Sequence, residues 1–162
     1  MKNSNGIGKD NYSVWLKFAE EDMVSAKALL ERKIYNQVCF HSQQAVEKML
    51  KAYLKSKKIM PPKIHSLLEL LQMCSEEDDT FSWLQEACRY LSRFYLSARY
   101  PDALPGNLPN GLPNKDEARK SLEFAEEVEK FMKRKLSLRT PKGAKPACRQ
   151  AGNDEWKTRR LR

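Results

Sequence analysis

Between Asn11 and Leu136, apolar residues recur at steps of three and four, the spacing that gathers them on one face of an α-helix. In the first segment Trp15, Phe18, Ala19, Met23, Ala26, Leu29 and Leu30 stand opposite Lys17, Glu21, Lys27 and Glu31. This predicts an amphipathic helix of about five to six turns. A short break at Arg32 to Ile34 separates it from a second helix, expected from about Tyr35 to Lys57. The sequence MPPK stops that helix, because proline has no amide hydrogen to give the ladder. A shorter third helix is expected from Ile64 to Cys74, with Ile64, Leu67, Leu68 and Leu71 inward, ended by the acidic run SEEDD. A fourth is expected from Phe81 to about Arg99, its inner face reading Leu84, Ala87, Cys88, Leu91, Phe94, Tyr95 and Ala98.

The stretch ALPGNLPNGLPN repeats Leu-Pro with glycines between, which suits neither a helix nor a central strand and predicts an extended loop. Asn114 then offers a side-chain oxygen, with Glu117 three residues on, the arrangement of a capping box. Ala118, Leu122, Ala125, Val128, Met132 and Leu136 carry a last helix. No segment alternates with a two-residue period for long enough to predict a strand. The expected fold is all-α, an antiparallel up-and-down helical bundle of four long helices plus one short helix. It occupies residues 11–136, after a flexible N-terminus at 1–10 and before a basic, disordered tail at 137–162.

Charge changes this picture less than its total suggests. The net charge is +9, but residues 137–162 hold eight Lys or Arg against Asp154 and Glu155, leaving 22 basic and 19 acidic residues for the rest. The basicity therefore belongs mostly to the tail, which could hold phosphates by charge alone. No apolar run approaches the roughly 18 residues of a membrane span, and the polar first ten residues do not read as a secretory signal, so a cytoplasmic protein is expected. Cys39, Cys74, Cys88 and Cys148 form no CxxC pair, and three of them sit in helix-like apolar patterns, which reads as buried free thiols in a reducing compartment. With His41 and His65 the only histidines, no metal-ligand spacing is present, and neither a metal nor another cofactor is expected.

Placed on a helical wheel, the second helix has a core arc of Val38, Ala45, Val46, Met49, Leu50, Ala52 and Tyr53. His41, Gln44, Lys48 and Lys55 line one margin. Phe40, Gln43, Glu47 and Leu54 form a mixed strip on the far side, which suits a helix-to-helix contact between two copies of the chain. His41 reads as a half-buried histidine bonded to a neighbour, or as a base, and His65 as a packing or capping residue at the start of the third helix. On the fourth helix Arg89, Arg93, Leu96, Ser97 and Tyr100 point away from the core face. Guanidinium forks and a phenol ring suit phosphate and base recognition. The same residues also fit a helix end, since Pro101 terminates the helix, cations favour a helix C-terminus, and Arg99 has Asp102 nearby.

The sequences FHSQQAVEKMLKAYL (Phe40 to Leu54), IHSLLELL (Ile64 to Leu71) and SARYPDA (Ser97 to Ala103), in that order, resemble the HEPN family (higher eukaryotes and prokaryotes nucleotide-binding). The resemblance is closest to its small stand-alone bacterial and archaeal members. It implies a helical bundle, frequent homodimers, and pairing with a small nucleotidyltransferase in toxin–antitoxin-like operons. Many HEPN toxins are metal-independent ribonucleases with an arginine and, a few residues later, a histidine on the late helix. Here Arg93 matches the arginine, but Ala98 to Tyr100 contains no histidine. Some members carry a tyrosine that the partner modifies with adenylate, and Tyr100 stands in that slot. The resemblance thus implies a protein binding a nucleotide or RNA phosphate without ribonuclease activity. Its candidate ligand residues are Arg93, Arg99, Tyr100, Arg89, Asp102, His41, Gln44 and Lys48. Two alternatives stand beside it: an active ribonuclease using Arg93, Arg99 and His41, and a structural helical adaptor in which the arginines only pair with acids.

Overall fold

The computed structural model describes residues 12–97 and 112–137. Helix α1 spans Tyr12–Glu31, α2 Tyr35–Ser56, α3 Leu67–Glu77, α4 Gln85–Ser92, α5 Phe94–Ser97 and α6 Lys115–Ser137, with a 3₁₀ segment at Asp79–Leu84. No strand occurs among the described residues, so the all-α architecture is observed. The N-terminus at 1–10, the Leu-Pro loop through Gly111 and the tail after Ser137 lie outside the described residues.

Helices α1 and α2 pack along their lengths because only three residues join them, which forces an antiparallel hairpin. The turn closes without glycine: Lys33 takes a positive φ of 59°, and the Ile34 amide donates back to the Leu29 carbonyl at 3.0 Å. α2 ends in the same way, with Lys58 at φ 65° and the Ile59 amide on the Leu54 carbonyl at 3.0 Å. Helix α2 then becomes the central element, packed by α1 and α6 and touched by α3, α4 and α5. Its expected core arc, from Val38 to Tyr53, is buried throughout, as are all six apolar positions expected on α6. The capping box at the start of α6 forms as read: Asn114 Oδ1 accepts from the Glu117 amide at 3.0 Å, and Glu117 Oε2 accepts from the Asn114 amide at 2.9 Å.

Several local expectations are corrected. Helix α3 starts at Leu67 rather than Ile64, because Ser66 serves as its N-cap and accepts from the Glu69 amide. It ends at Glu77, inside the acidic run expected to end it, with Asp78 as its C-cap. The later start rotates the buried face onto Leu67, Leu70, Leu71 and Cys74 and leaves Leu68 exposed. The single helix expected from Phe81 is instead a 3₁₀ segment, α4 and α5, with a break at Arg93. Just before the break Ser92 Oγ donates to the Cys88 carbonyl at 2.7 Å, the back-bonding that bends helices. Phe18, expected inward, is 53% exposed, because the apolar arc of α1 is wider than the arc its neighbours cover. Among the described residues, no helix is long and apolar enough to cross a membrane.

Candidate functional site

The late helices place their polar side chains at two edges. On the edge facing α6, the Arg93 guanidinium lies over the rings of Tyr90, at 5.1 Å, and Phe94, at 5.5 Å. From α6, Lys120 Nζ reaches the same Tyr90 ring at 4.9 Å and Phe124 at 5.4 Å. Two cations thus share one aromatic cluster, in which Tyr90 also contacts Phe94 and Phe124 edge-on or tilted. Among the described residues Glu117 lies beside them, with Oε1 3.5 Å from Arg93 Nη2 while Oε2 accepts from the Asn114 amide. The capping-box glutamate therefore also sets the position of Arg93. Burial pushes the Tyr90 phenol up, Glu117 pushes it further and Arg93 opposes, so it stays protonated at neutral pH. Arg93 keeps about a third of its side chain exposed, and Arg89 is exposed one turn earlier.

Of the other expected ligand residues, Arg99, Tyr100 and Asp102 lie outside the described residues. His41 and Lys48 both bind Asp22 of α1, His41 through Nδ1 at 2.9 Å. Burial alone would raise the Asp22 pKa, but hydrogen bonds from His41 and Lys48 outweigh it and hold the carboxyl below its ordinary value. Gln44 donates to Gln43 Oε1 at 2.7 Å and to Glu47. Among the described residues none of these three is bonded to α4 or α5, so the structure does not bring them together with Arg93.

The mixed strip expected to face a second copy is a correction. Gln43, Glu47 and Leu54 are buried within the chain, and Phe40 is half-buried with its ring edge-on to His41. The strip is enclosed because α2 is central: Trp15 of α1 lies under Lys51, and the segment between α2 and α3 folds back over Glu47. In that enclosure Glu47 Oε1 accepts from Lys51 Nζ at 2.9 Å and from His65 Nδ1 at 3.0 Å, while Gln43 and Gln44 reach Oε2.

His65 is the residue that sequence reasoning underrated. It precedes the Ser66 cap as a linker residue, yet its ring stacks on Tyr95 of α5, with centroids 5.2 Å apart and planes 20° from parallel. It lines a groove of about 520 Å³ with Ile64, Ser66, Leu68, Glu69, Ser92 and Tyr95, on the edge of the late helices away from α6. The legible signal was Glu47 four residues before Lys51 on a helix otherwise built to be buried, since a buried pair of this kind seeks further hydrogen bonds. The sequence does not say which residue supplies them. The three described cysteines are inert by burial, which pushes the thiols of Cys39 and Cys88 up to about 12 and that of Cys74 up as well.

Comparison with known proteins places this geometry. The family model described as HEPN domain matches residues 12–136. A Methanocaldococcus jannaschii protein named "Putative toxin MJ1304" is 30% identical over 138 residues, which cover 78% of this chain and 91% of that protein. The crystal structure of TT1696 from Thermus thermophilus superposes with a TM-score of 0.70 at 31% identity, over 78% of this chain and 99% of that one. ST0689, an archaeal HEPN homologue, gives 0.62 at 25% identity, over 77% and 97% of the two chains. A HEPN domain protein of Thermotoga maritima gives 0.60 at 28% identity, over 76% and 97%.

Proposed function

The chain belongs to the HEPN domain family, and from that premise we propose that it is a toxin–antitoxin-type HEPN protein that binds a nucleotide or RNA phosphate on the Arg93–Lys120 surface. One observation carries the reading. Arg93 and Lys120 converge on the Tyr90 ring with Glu117 beside them, and that carboxylate is shared with a helix cap. Arg93 keeps about a third of its side chain exposed and Lys120 is exposed, and a guanidinium fork beside an ammonium suits phosphate oxygens. Arg89 stands one turn earlier on α4, and Arg99 and Tyr100 follow α5 in the sequence. The toxin name of the archaeal relative and the family's operon habit support a small nucleotidyltransferase as partner. Ala98 to Tyr100 holds no histidine where the family's ribonucleases have one, which supports binding without cleavage. Where two copies pair, they use a surface other than the buried Gln43, Glu47 and Leu54.

Titration of ATP, GTP and a short RNA into wild type, Arg93→Ala and Lys120→Ala at two salt concentrations tests this reading. Each substitution is expected to weaken binding and to lower the logarithmic salt slope by about 0.7 for a single strand. Absence of binding by wild type at low salt refutes it. Co-purification with the product of a neighbouring nucleotidyltransferase reading frame tests the partner.

A further inference from the structure

The groove beside His65 adjoins the cation cluster through Ser92, the residue before Arg93, and its lining is chemically different. We propose that the stacked His65–Tyr95 ring pair is a nucleobase subsite, taking the base of a nucleotide or single-stranded RNA whose phosphate is held by the arginines of the same helices. This inference rests on the phosphate-binding reading above.

The imidazole is held at two points. Its Nδ1 must carry a proton to donate to Glu47, since an ionised carboxylate only accepts, and one face lies on Tyr95. Half of the His65 side chain nevertheless remains exposed, while Glu47 and Lys51 are 6% and 7% exposed. The ring is thus held at Nδ1 and against Tyr95 while half of the side chain stays accessible. Glu47 has Lys51 at 2.9 Å and does not depend on a half-exposed histidine for its charge balance. The result is a flat, pre-oriented platform anchored on buried groups, the kind of surface on which bases stack irrespective of sequence.

The groove lining matches a base better than a phosphate. Ile64 and Leu68 give apolar walls, and among the described residues no Lys or Arg lines it. Glu69 would repel a phosphate but accept from the ring or amino N–H of a base. Ser92 has its hydroxyl hydrogen committed to the Cys88 carbonyl, which leaves its oxygen as an acceptor, and Ser66 Oγ accepts from Glu69 and retains its own hydrogen to donate. The volume, about 520 Å³, is of the size that small-molecule sites occupy. Ser92 also joins the two edges: Arg93 follows it directly, and Arg89 stands three residues before it, about 5–6 Å away on the same helical face. A nucleotide can therefore set its neutral, donor-rich end in the groove and its anionic end on the arginines.

The test compares a short single-stranded RNA with an abasic phosphodiester oligomer of equal length, by fluorescence anisotropy at low salt, with circular dichroism to verify folding. Wild type should bind the RNA more tightly than the abasic oligomer. His65→Ala and Tyr95→Leu should each weaken RNA binding about tenfold, the usual order for one stacked base, and leave abasic binding unchanged. His65→Phe, which keeps a ring, should recover most of the loss. If His65→Ala does not fold, Tyr95→Leu decides. Loss of RNA affinity with Arg93→Ala but none with His65→Ala or Tyr95→Leu overturns the subsite and leaves the phosphate reading standing. Failure of wild type to bind either oligomer overturns both.

Discussion

Helix α2 carries two clusters of the same composition, each a carboxylate shared by a lysine and a histidine. In the first, Asp22 of α1 receives His41 and Lys48. In the second, Glu47 receives Lys51 from its own helix and His65 from the following linker. The first is a clamp between two long helices, with both basic groups about a quarter exposed, so water screens each of them. The second has its ion pair almost fully buried and its histidine half in solvent. Identical chemistry thus divides by depth: the clamp stabilises modestly through contacts that water can replace. The buried pair pins a ring at the edge of a groove, where water cannot substitute for either charge.

The largest effect is expected from Glu47→Ala, which leaves Lys51 buried without its carboxylate and should cost about 3–5 kcal/mol in urea unfolding. Replacing both members at once, Glu47→Leu with Lys51→Met, should be far milder, because no unpaired charge remains. If the double variant is as damaged as the single one, depth is not what separates the clusters. Asp22→Asn should cost about 1–2 kcal/mol at pH 7, since His41 and Lys48 can turn to water.

That Asp22 contribution should depend on pH in a definite direction. Its folded-state pKa is depressed below the ordinary 3.8, so its stabilisation is fully present above that value and fades as pH falls through the folded-state pKa. The difference in unfolding free energy between wild type and Asp22→Asn should therefore shrink as pH falls below about 4. A difference that grows below about pH 4 would contradict the assignment. The smallest effect on stability is expected from His65→Ala, under about 1 kcal/mol, because Lys51 remains on Glu47 and water reaches the vacated half. Chemical denaturation would measure it directly, and a much larger loss would make His65 a structural member of the pair.

The elements themselves were legible because they rest on local chemistry. The spacing of Ala118 to Leu136 and the cap at Asn114 with Glu117 act within one or two helical turns, and the structure carries them as read, whereas α2 closes at Lys57 to Ile59, before the prolines expected to stop it. Where the reading slipped, a local competitor had been missed: Ser66 took the cap of α3, and Ser92 bent the late helix before Arg93. The chemistry of the site was less legible. Arg93 could be singled out from its position, but its partner Glu117 comes from a helix beyond the Leu-Pro loop, and Lys120 was not marked by any motif.

By itself, then, the sequence determined a helical bundle, the cap of α6 and the apolar faces of α2 and α6, because hydrophobic period and hydrogen bonding to the backbone are decided among residues three or four apart. Only the tertiary structure decided that the polar side of α2 is enclosed, that Phe18 is not, and that His41 turns to Asp22 while His65 turns to Glu47 and Tyr95. A helical wheel ranks the faces of one helix but contains no count of its neighbours. Burial and pairing are set by which other elements close over each face, and that is fixed by the packing of the whole bundle.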